Sequence, residues 1–167
     1  TMTILGSILE QAVKDDIIPK NYMKNIDRPK QVKVRHMVTL SVDEVKSFLS
    51  NISNSEHHAL FKLAFATGMR RSELLGLRWS DIDFKKSTIS ISQTALKIGS
   101  TAVISNTTKT TSSKRIIAID ADTLQEIMKH KTVIDKRRIK TMNWINNNLV
   151  FPGIKGGPRC PDEVSKL

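Results

Sequence analysis

At 167 residues the chain has room for one ordinary domain, or for one domain with an appendage, because domains commonly hold ~100–150 residues. A hydrophobic share of 39% beside 26% charged residues, with only 7 glycines and 5 prolines, excludes collagen-like and broadly disordered chains. The 27 lysines and arginines stand against 16 acidic residues, a net charge of +11, and so basic a small chain calls for a polyanionic partner, nucleic acid before any other.

Ile4, Leu5, Ile8, Leu9, Ala12 and Val13 lie at helical spacing with Glu10, Lys14, Asp15 and Asp16 interleaved, which predicts an amphipathic helix over residues 3–16. From Ile17 to Met37 the sequence turns polar and basic around Pro19 and Pro29 and has the character of a linker. Two readings of the first helix stay open: the last helix of a preceding domain, or an ordinary first helix packed on the main body. A stronger start comes at Ser41, which can cap a helix while Glu44, three residues on, reaches back to it. Val42, Val45, Phe48 and Leu49 form the expected buried stripe of that helix. The almost wholly apolar run Ala59 to Ala66 predicts a core helix. Gly68 is placed to end it, since glycine accepts the left-handed conformation of a helix C-terminus, and Ser72 to Leu75 begin a short helix directly after.

From Thr88 the period changes to two. Ile89 and Ile91 alternate with Thr88, Ser90 and Ser92, then Val103-Ile104 and Arg115 to Ile119 follow after polar gaps, which predicts three short antiparallel strands. Asp120 can cap the next helix, in which Leu124, Ile127, Met128 and Ile134 share a face and six lysines and arginines between Lys129 and Lys140 crowd the rest. An irregular tail passes Leu149-Val150-Phe151, and a further helix begins near Asp162. The expected fold is mainly α with a small three-stranded antiparallel sheet, an α+β arrangement.

A single cysteine, Cys160, forms neither an internal disulfide nor a structural zinc site. No apolar run approaches the ~18 residues that span a bilayer, and the first residues lack a basic segment ahead of an apolar one. The expectation is a cytoplasmic protein with no membrane partner, no metal and no cofactor.

Between Asp83 and Asp120 there are 36 positions without an acidic residue, carrying Lys85, Lys86, Lys97, Lys109, Lys114 and Arg115 among many serines and threonines. Such a segment suits the DNA backbone, whose phosphates are neutralised by lysine and arginine with release of counterions. A solvated basic hairpin with no ligand is the plainer alternative. Arg70 stands at the junction of two apolar helices, where a guanidinium on a rigid base can fork onto two oxygens of a phosphate. It could equally cap the carbonyls of the preceding helix. Glu73, one step on, can hold that guanidinium or sit in the first turn of its own helix.

The stretch Ala66-Thr67-Gly68-Met69-Arg70-Arg71-Ser72-Glu73-Leu74-Leu75-Gly76-Leu77-Arg78-Trp79-Ser80-Asp81-Ile82-Asp83 resembles the first arginine motif of the tyrosine recombinases, the phage integrase family. Thr108-Lys109-Thr110 and the residues through Ile119 are similar to the family's lysine-bearing hairpin, and Leu149 to Pro152 resemble the segment that precedes its second half. Residues 1–28 are similar to the last helix of a core-binding domain, 29–38 to the linker, and 39–167 to the first part of the catalytic domain. The resemblance implies breakage and rejoining of DNA through a phosphotyrosine, without metal or nucleotide. It implies Arg70 on the nonbridging oxygens, Lys109 as general acid and Glu73 in support. Its implied partners are double-stranded DNA and further recombinase protomers in a tetrameric synapse.

The family's second arginine motif and its tyrosine follow the Leu-Val-Phe segment, and the chain stops at Leu167 before either. Its one tyrosine, Tyr22, lies in the presumed linker. The expectation is an integrase fragment, inactive alone, with a non-catalytic DNA-binding module or decoy as the alternative. A nuclease with metal held by Asp81, Asp83, Asp120 and Asp122 is the weaker third reading.

Overall fold

The structure, a computed structural model, describes residues 2–26, 39–99, 101–105 and 115–164. It divides into two compact units, Thr1–Thr39 and Leu40–Leu167. In the first, α1 (Met2–Lys14) is followed by one 3-10 turn, Tyr22–Asn25. Asn21 joins them: its side-chain amide donates to the Gly6 carbonyl at 3.0 Å and to Glu10 at 2.9 Å, while its oxygen accepts from the Met23 amide. Tyr22 is exposed on this turn.

The second unit begins with the expected capping box. Ser41 accepts from the Glu44 amide and the Glu44 carboxylate accepts from the Ser41 amide at 2.7 Å, so two of the orphan donors at the start of α2 (Val42–Asn51) are satisfied. The stripe expected to be buried on α2 is not. Val45 and Leu49 are half-buried and Val42 is exposed, while Phe48 meets Phe61 and Phe65 edge-to-face. Helix α3 (His58–Thr67) carries Ala59, Leu60 and Leu63 into the core and ends at Gly68, whose φ of 61° is the left-handed geometry its sequence position called for. Helix α4 (Arg71–Gly76) follows after two residues and buries Leu74 and Leu75.

The expected small three-stranded antiparallel sheet is present, but one of its strands differs from expectation and a two-stranded sheet accompanies it. Strands β1 (Ile82–Asp83), β2 (Thr88–Ile91) and β5 (Arg115–Ala118) form a three-stranded antiparallel sheet in the order β1-β2-β5. Val103 and Ile104, expected in that sheet, lie instead in a separate hairpin of β3 (Thr94–Ile98) and β4 (Thr101–Ser105), joined across Gly99 at φ 61°. The reason is packing. Ala95 is fully buried and Gln93 donates to the Gly76 carbonyl at 2.6 Å, which turns β3 away from β2 and onto α4. Within the three-stranded sheet, Ile89 pairs with Ile117 and Ile91 with Arg115 on one face, Ser90 with Ile116 on the other.

Asp120 caps α5 (Ala121–Lys140) through the Thr123 amide, and Ile127 and Ile134 enter the core. Met128, assigned to that buried face by sequence, is exposed; it lies about 100° around the helix from Ile127 and points off the stripe. The Leu149-Val150-Phe151 segment is buried alongside, Val150 donating to the Leu77 carbonyl and Trp79 to that of Asn148. A final short helix, α6 (Pro161–Val164), closes the description.

The approach of α4 to β3 depends on Gly76. A Cβ there would stand 2.8 Å from the Thr94 Cα and 2.9 Å from the Ala95 nitrogen, both backbone atoms. Gly76→Ala should therefore lower stability by about 1–3 kcal/mol, the usual range for overpacking, as a reduced urea midpoint with an unchanged slope.

Candidate functional site

Arg70 occupies the N-cap of α4 in extended backbone, with φ −64° and ψ 148°. The sequence folds this way because Gly68 stops α3 and Glu73 starts α4: the Glu73 carboxylate accepts from the Arg70 amide at 2.8 Å, reaching back as an N3 glutamate does. The same carboxylate accepts from the Arg70 guanidinium at 3.0 Å. Arg70 therefore pairs with Glu73 and not with the carbonyls of α3, whose end is closed by the Gly68 amide on Ala64.

Glu73 is 4% exposed and Arg70's side chain 73%. Arg115, at the start of β5, supplies two further hydrogen bonds to the same carboxylate, Nη1 to Oε1 at 3.0 Å and Nη2 to Oε2 at 2.9 Å. Its register opposite Ile91 turns its side chain toward the core face, where Glu73 is reached. Burial pushes the Glu73 carboxyl upward, but the hydrogen bonds from Arg115 and Arg70 outweigh it and hold the group below the usual glutamate range. Two guanidiniums around one carboxylate leave a local charge of +1 with an exposed arginine at its outer edge, an arrangement suited to an oxyanion.

Among the described residues, the other lysines singled out by sequence are not gathered there. Lys85 and Lys86 lie in the β1–β2 turn, their amides donating to Asp83, beside a groove on the opposite sheet face that includes Ser90 and Ile116. Lys97 of β3 pairs with Asp162 of α6 at 2.7 Å, and Arg71 lies 3.8 Å from the same carboxylate. Lys109 and Lys114 fall outside the described residues. Thus Arg70, Glu73 and Arg115 are brought together, and Arg115, expected on a phosphate, is engaged with Glu73.

Arg78 was passed over by sequence and is held firmly. Its Nε and Nη2 donate to Asp81 at 3.0 Å each, and Nη2 also reaches Ser92 at 2.9 Å. The signal was present: Arg78 and Asp81 repeat the three-residue spacing of Arg70 and Glu73, and Asp81 accepts from the Arg78 amide as Glu73 does from that of Arg70.

The four aspartates of the metal-nuclease reading are each engaged separately. Asp81 holds Arg78 and Ser92, Asp83 accepts turn amides, Asp120 caps α5 and Asp122 pairs with Lys62 at 2.6 Å. Among the described residues no three His, Cys, Asp or Glu side chains are grouped to hold a metal ion. His58 meets Glu126 at 3.1 Å, and His130 donates from Nε2 to the Val150 carbonyl while burial lowers its pKa, so both histidines join elements of the core. No described helix is long and apolar enough to cross a membrane.

A family model described as the phage integrase family matches residues 38–166, and the chain belongs to that family. It is 28% identical over 125 residues to a tyrosine recombinase XerC-like protein of Caldanaerobacter subterraneus, covering 68% of this chain and 32% of that protein. It is 27% identical over 154 residues to the integrase of a Staphylococcus phage, covering 86% and 43%. Among solved structures, the Tn1549 transposon integrase in complex with transposon right end DNA superposes with a TM-score of 0.75 at 25% identity, over 95% of this chain and 51% of that one. A lambda integrase tetramer bound to a Holliday junction shares the fold, with a TM-score of 0.61 at 17% identity, over 99% of this chain and 43% of that one. The chain spans about half, or less, of the length of the proteins it matches.

The depressed Glu73 carboxyl sets a pH dependence. Its folded pKa lies below its unfolded value, so its stabilisation is complete above the unfolded pKa of ~4.3 and is lost as pH falls through the folded value. Glu73→Gln should cost about 2 kcal/mol near neutral pH, the scale of hydrogen bonds to a charged group, and progressively less on acidification. Chemical denaturation of both proteins at several pH values between 2.5 and 7 measures this difference.

Proposed function

We propose that these residues furnish the phosphate-gripping half of a site-specific recombinase catalytic domain. Unit boundaries near residue 39 correspond in this reading to a core-binding helix and linker followed by the first part of the catalytic domain. The observation that carries the proposal is the exposed Arg70 guanidinium mounted on a buried Glu73 within the motif that resembles the family's first arginine. Arg70 binds nonbridging oxygens of the scissile phosphodiester and stabilises the charge that grows on them. A tyrosine supplied by sequence outside these 167 residues attacks phosphorus. The P–O5′ bond breaks, Lys109 gives the leaving oxygen a proton, and a 5′-hydroxyl later reverses the step. The substrate is double-stranded DNA, the setting is the cytoplasm, and the working assembly includes further recombinase protomers.

The chain itself should bind duplex DNA with an affinity that falls steeply with salt, since backbone contacts release condensed counterions. Fluorescence anisotropy over a salt series reads the slope, and Lys85→Glu with Lys86→Glu should weaken binding to unrelated sequences by the same factor. Binding indifferent to salt overturns the reading. In a tyrosine-bearing recombinase that includes these residues, Arg70→Ala should slow single-turnover strand cleavage by about 100-fold or more, the scale for removing a preorganised oxyanion donor, with little change in DNA affinity. Cleavage at the unsubstituted rate removes Arg70 from the chemistry.

A further inference from the structure

A carboxylate offers about four acceptor positions, two on each oxygen. On Glu73 the Oε1 atom takes Nη1 of Arg70 and Nη1 of Arg115, and Oε2 takes the Arg70 amide and Nη2 of Arg115. Arg115 therefore grips Glu73 through two nitrogens at once, the fork-to-fork geometry that guanidinium makes and ammonium does not. Arg70 meets the carboxylate through one guanidinium nitrogen only. Its side chain is 73% exposed, whereas that of Arg115 is 35% exposed and lies across 42 residues of sequence.

We propose that Arg115 is a positioning residue for Arg70: by filling two of the four acceptor positions of Glu73, it prevents that carboxylate from taking the Arg70 guanidinium as a two-point pair. The outer N–H edge of Arg70 is thereby kept turned to solvent, where an oxyanion is received. The identity of that anion as a DNA phosphate rests on the function proposed above; the geometry does not. Without Arg115, a carboxylate that is 4% exposed would have two open acceptor positions and one guanidinium already at 3.0 Å. Closing Arg70 onto it would be the nearest way to satisfy them. The cluster would also change from two cations around one anion to a neutral pair, losing the net positive charge that draws an oxyanion.

Charge and geometry are separable in this arrangement. Lysine at 115 restores the charge but cannot fork, so a positioning role predicts that it fails to replace arginine. A purely electrostatic role predicts that it succeeds. Glu73→Gln in the same background removes the negative charge and one of the two acceptor oxygens, so Arg70 can no longer be captured as a two-point ionic pair and should be released.

The test is the rate at which phenylglyoxal, which adds to accessible guanidiniums, modifies Arg70 in the 167-residue chain, followed by peptide mass mapping with exposed Arg138 as the internal reference. In folded Arg115→Met and Arg115→Lys, Arg70 should react about fivefold more slowly than in the unsubstituted protein, the equilibrium worth of one additional well-formed ionic contact. Adding Glu73→Gln to either should restore the rate. Should the methionine variant fail to fold, by circular dichroism and thermal melting, the lysine variant carries the same expectation. An unchanged Arg70 rate in a folded variant, or full recovery with lysine, overturns the proposal. A separate arm adds duplex DNA to the unsubstituted chain: protection of Arg70 supports the proposed function. Its absence sinks that function while leaving the slowed rates, and the positioning role, in place.

Discussion

One buried carboxylate organises the cluster in which α4 and β5 meet. Glu73 is removed from water, which by itself disfavours its charge, and it remains ionised because four N–H groups from two arginines surround it. The arrangement demands several structural conditions together. The chain must stop α3 at Gly68 so that Arg70 can stand extended at the head of α4, and β5 must pair with β2 in the register that turns Arg115 inward. Helix α4 must also be held from its far side, where Gly76 lets the backbone of β3 approach and Gln93 ties the two together. The site is thus a consequence of how three elements meet, and no single motif contains it.

The chain uses the same local device twice, with different outcomes. Arg70 with Glu73 and Arg78 with Asp81 each place an arginine at an N-cap and an acid three residues on that reaches back to the arginine amide. Around Arg78 the device is closed. Its Nε and Nη2 are engaged by Asp81 and Ser92, its backbone forms a bridge with Leu149, and it serves to fasten the Leu149-Val150-Phe151 segment beside α4. Around Arg70 the second arginine takes the inner positions and the first is left at the surface. Sequence spacing is identical in the two cases, and what separates a structural arginine from an available one is the presence of a competitor for the carboxylate.

That distinction marks the limit of what was legible beforehand. Helix boundaries were legible because caps are local chemistry: Ser41 with Glu44, Gly68 and Asp120 each announced an end that the structure contains. The β3–β4 hairpin was not, because the alternation of Leu96-Lys97-Ile98 marks no buried face, all three being exposed; Ala95 alone in β3 is buried, and its fit against Gly76 is a long-range contact. Met128 was misplaced because it lies about 100° around α5 from Ile127, past the edge of the stripe that Ile127 and Ile134 bury. Arg115 was legible as a cation but not as a partner of Glu73, since which face a strand residue takes depends on register with β2, 24 positions earlier at Ile91. The pairing of Lys97 with Asp162 was likewise not legible, since the counterion lies 65 positions downstream.

The same long-range pairing changes what the net charge of +11 means. The 36 acid-free positions suggest a continuous basic surface, yet the fold brings anions to that segment from both flanks: Glu73 to Arg115, Asp83 to the Lys85–Lys86 turn and Asp162 to Lys97. A run of positive charge in sequence is therefore not a stripe of positive charge in space. Attraction for a polyanion comes from the excess over these pairs, diffuse and weakened by salt, and such a field does not choose a position on the polyanion. Position must come from short hydrogen bonds at fixed places. Arg70 combines exposure with a buried anchor, so in the function proposed above the global charge and the local site divide the work: the first would bring phosphates near, and the second would determine which one is held.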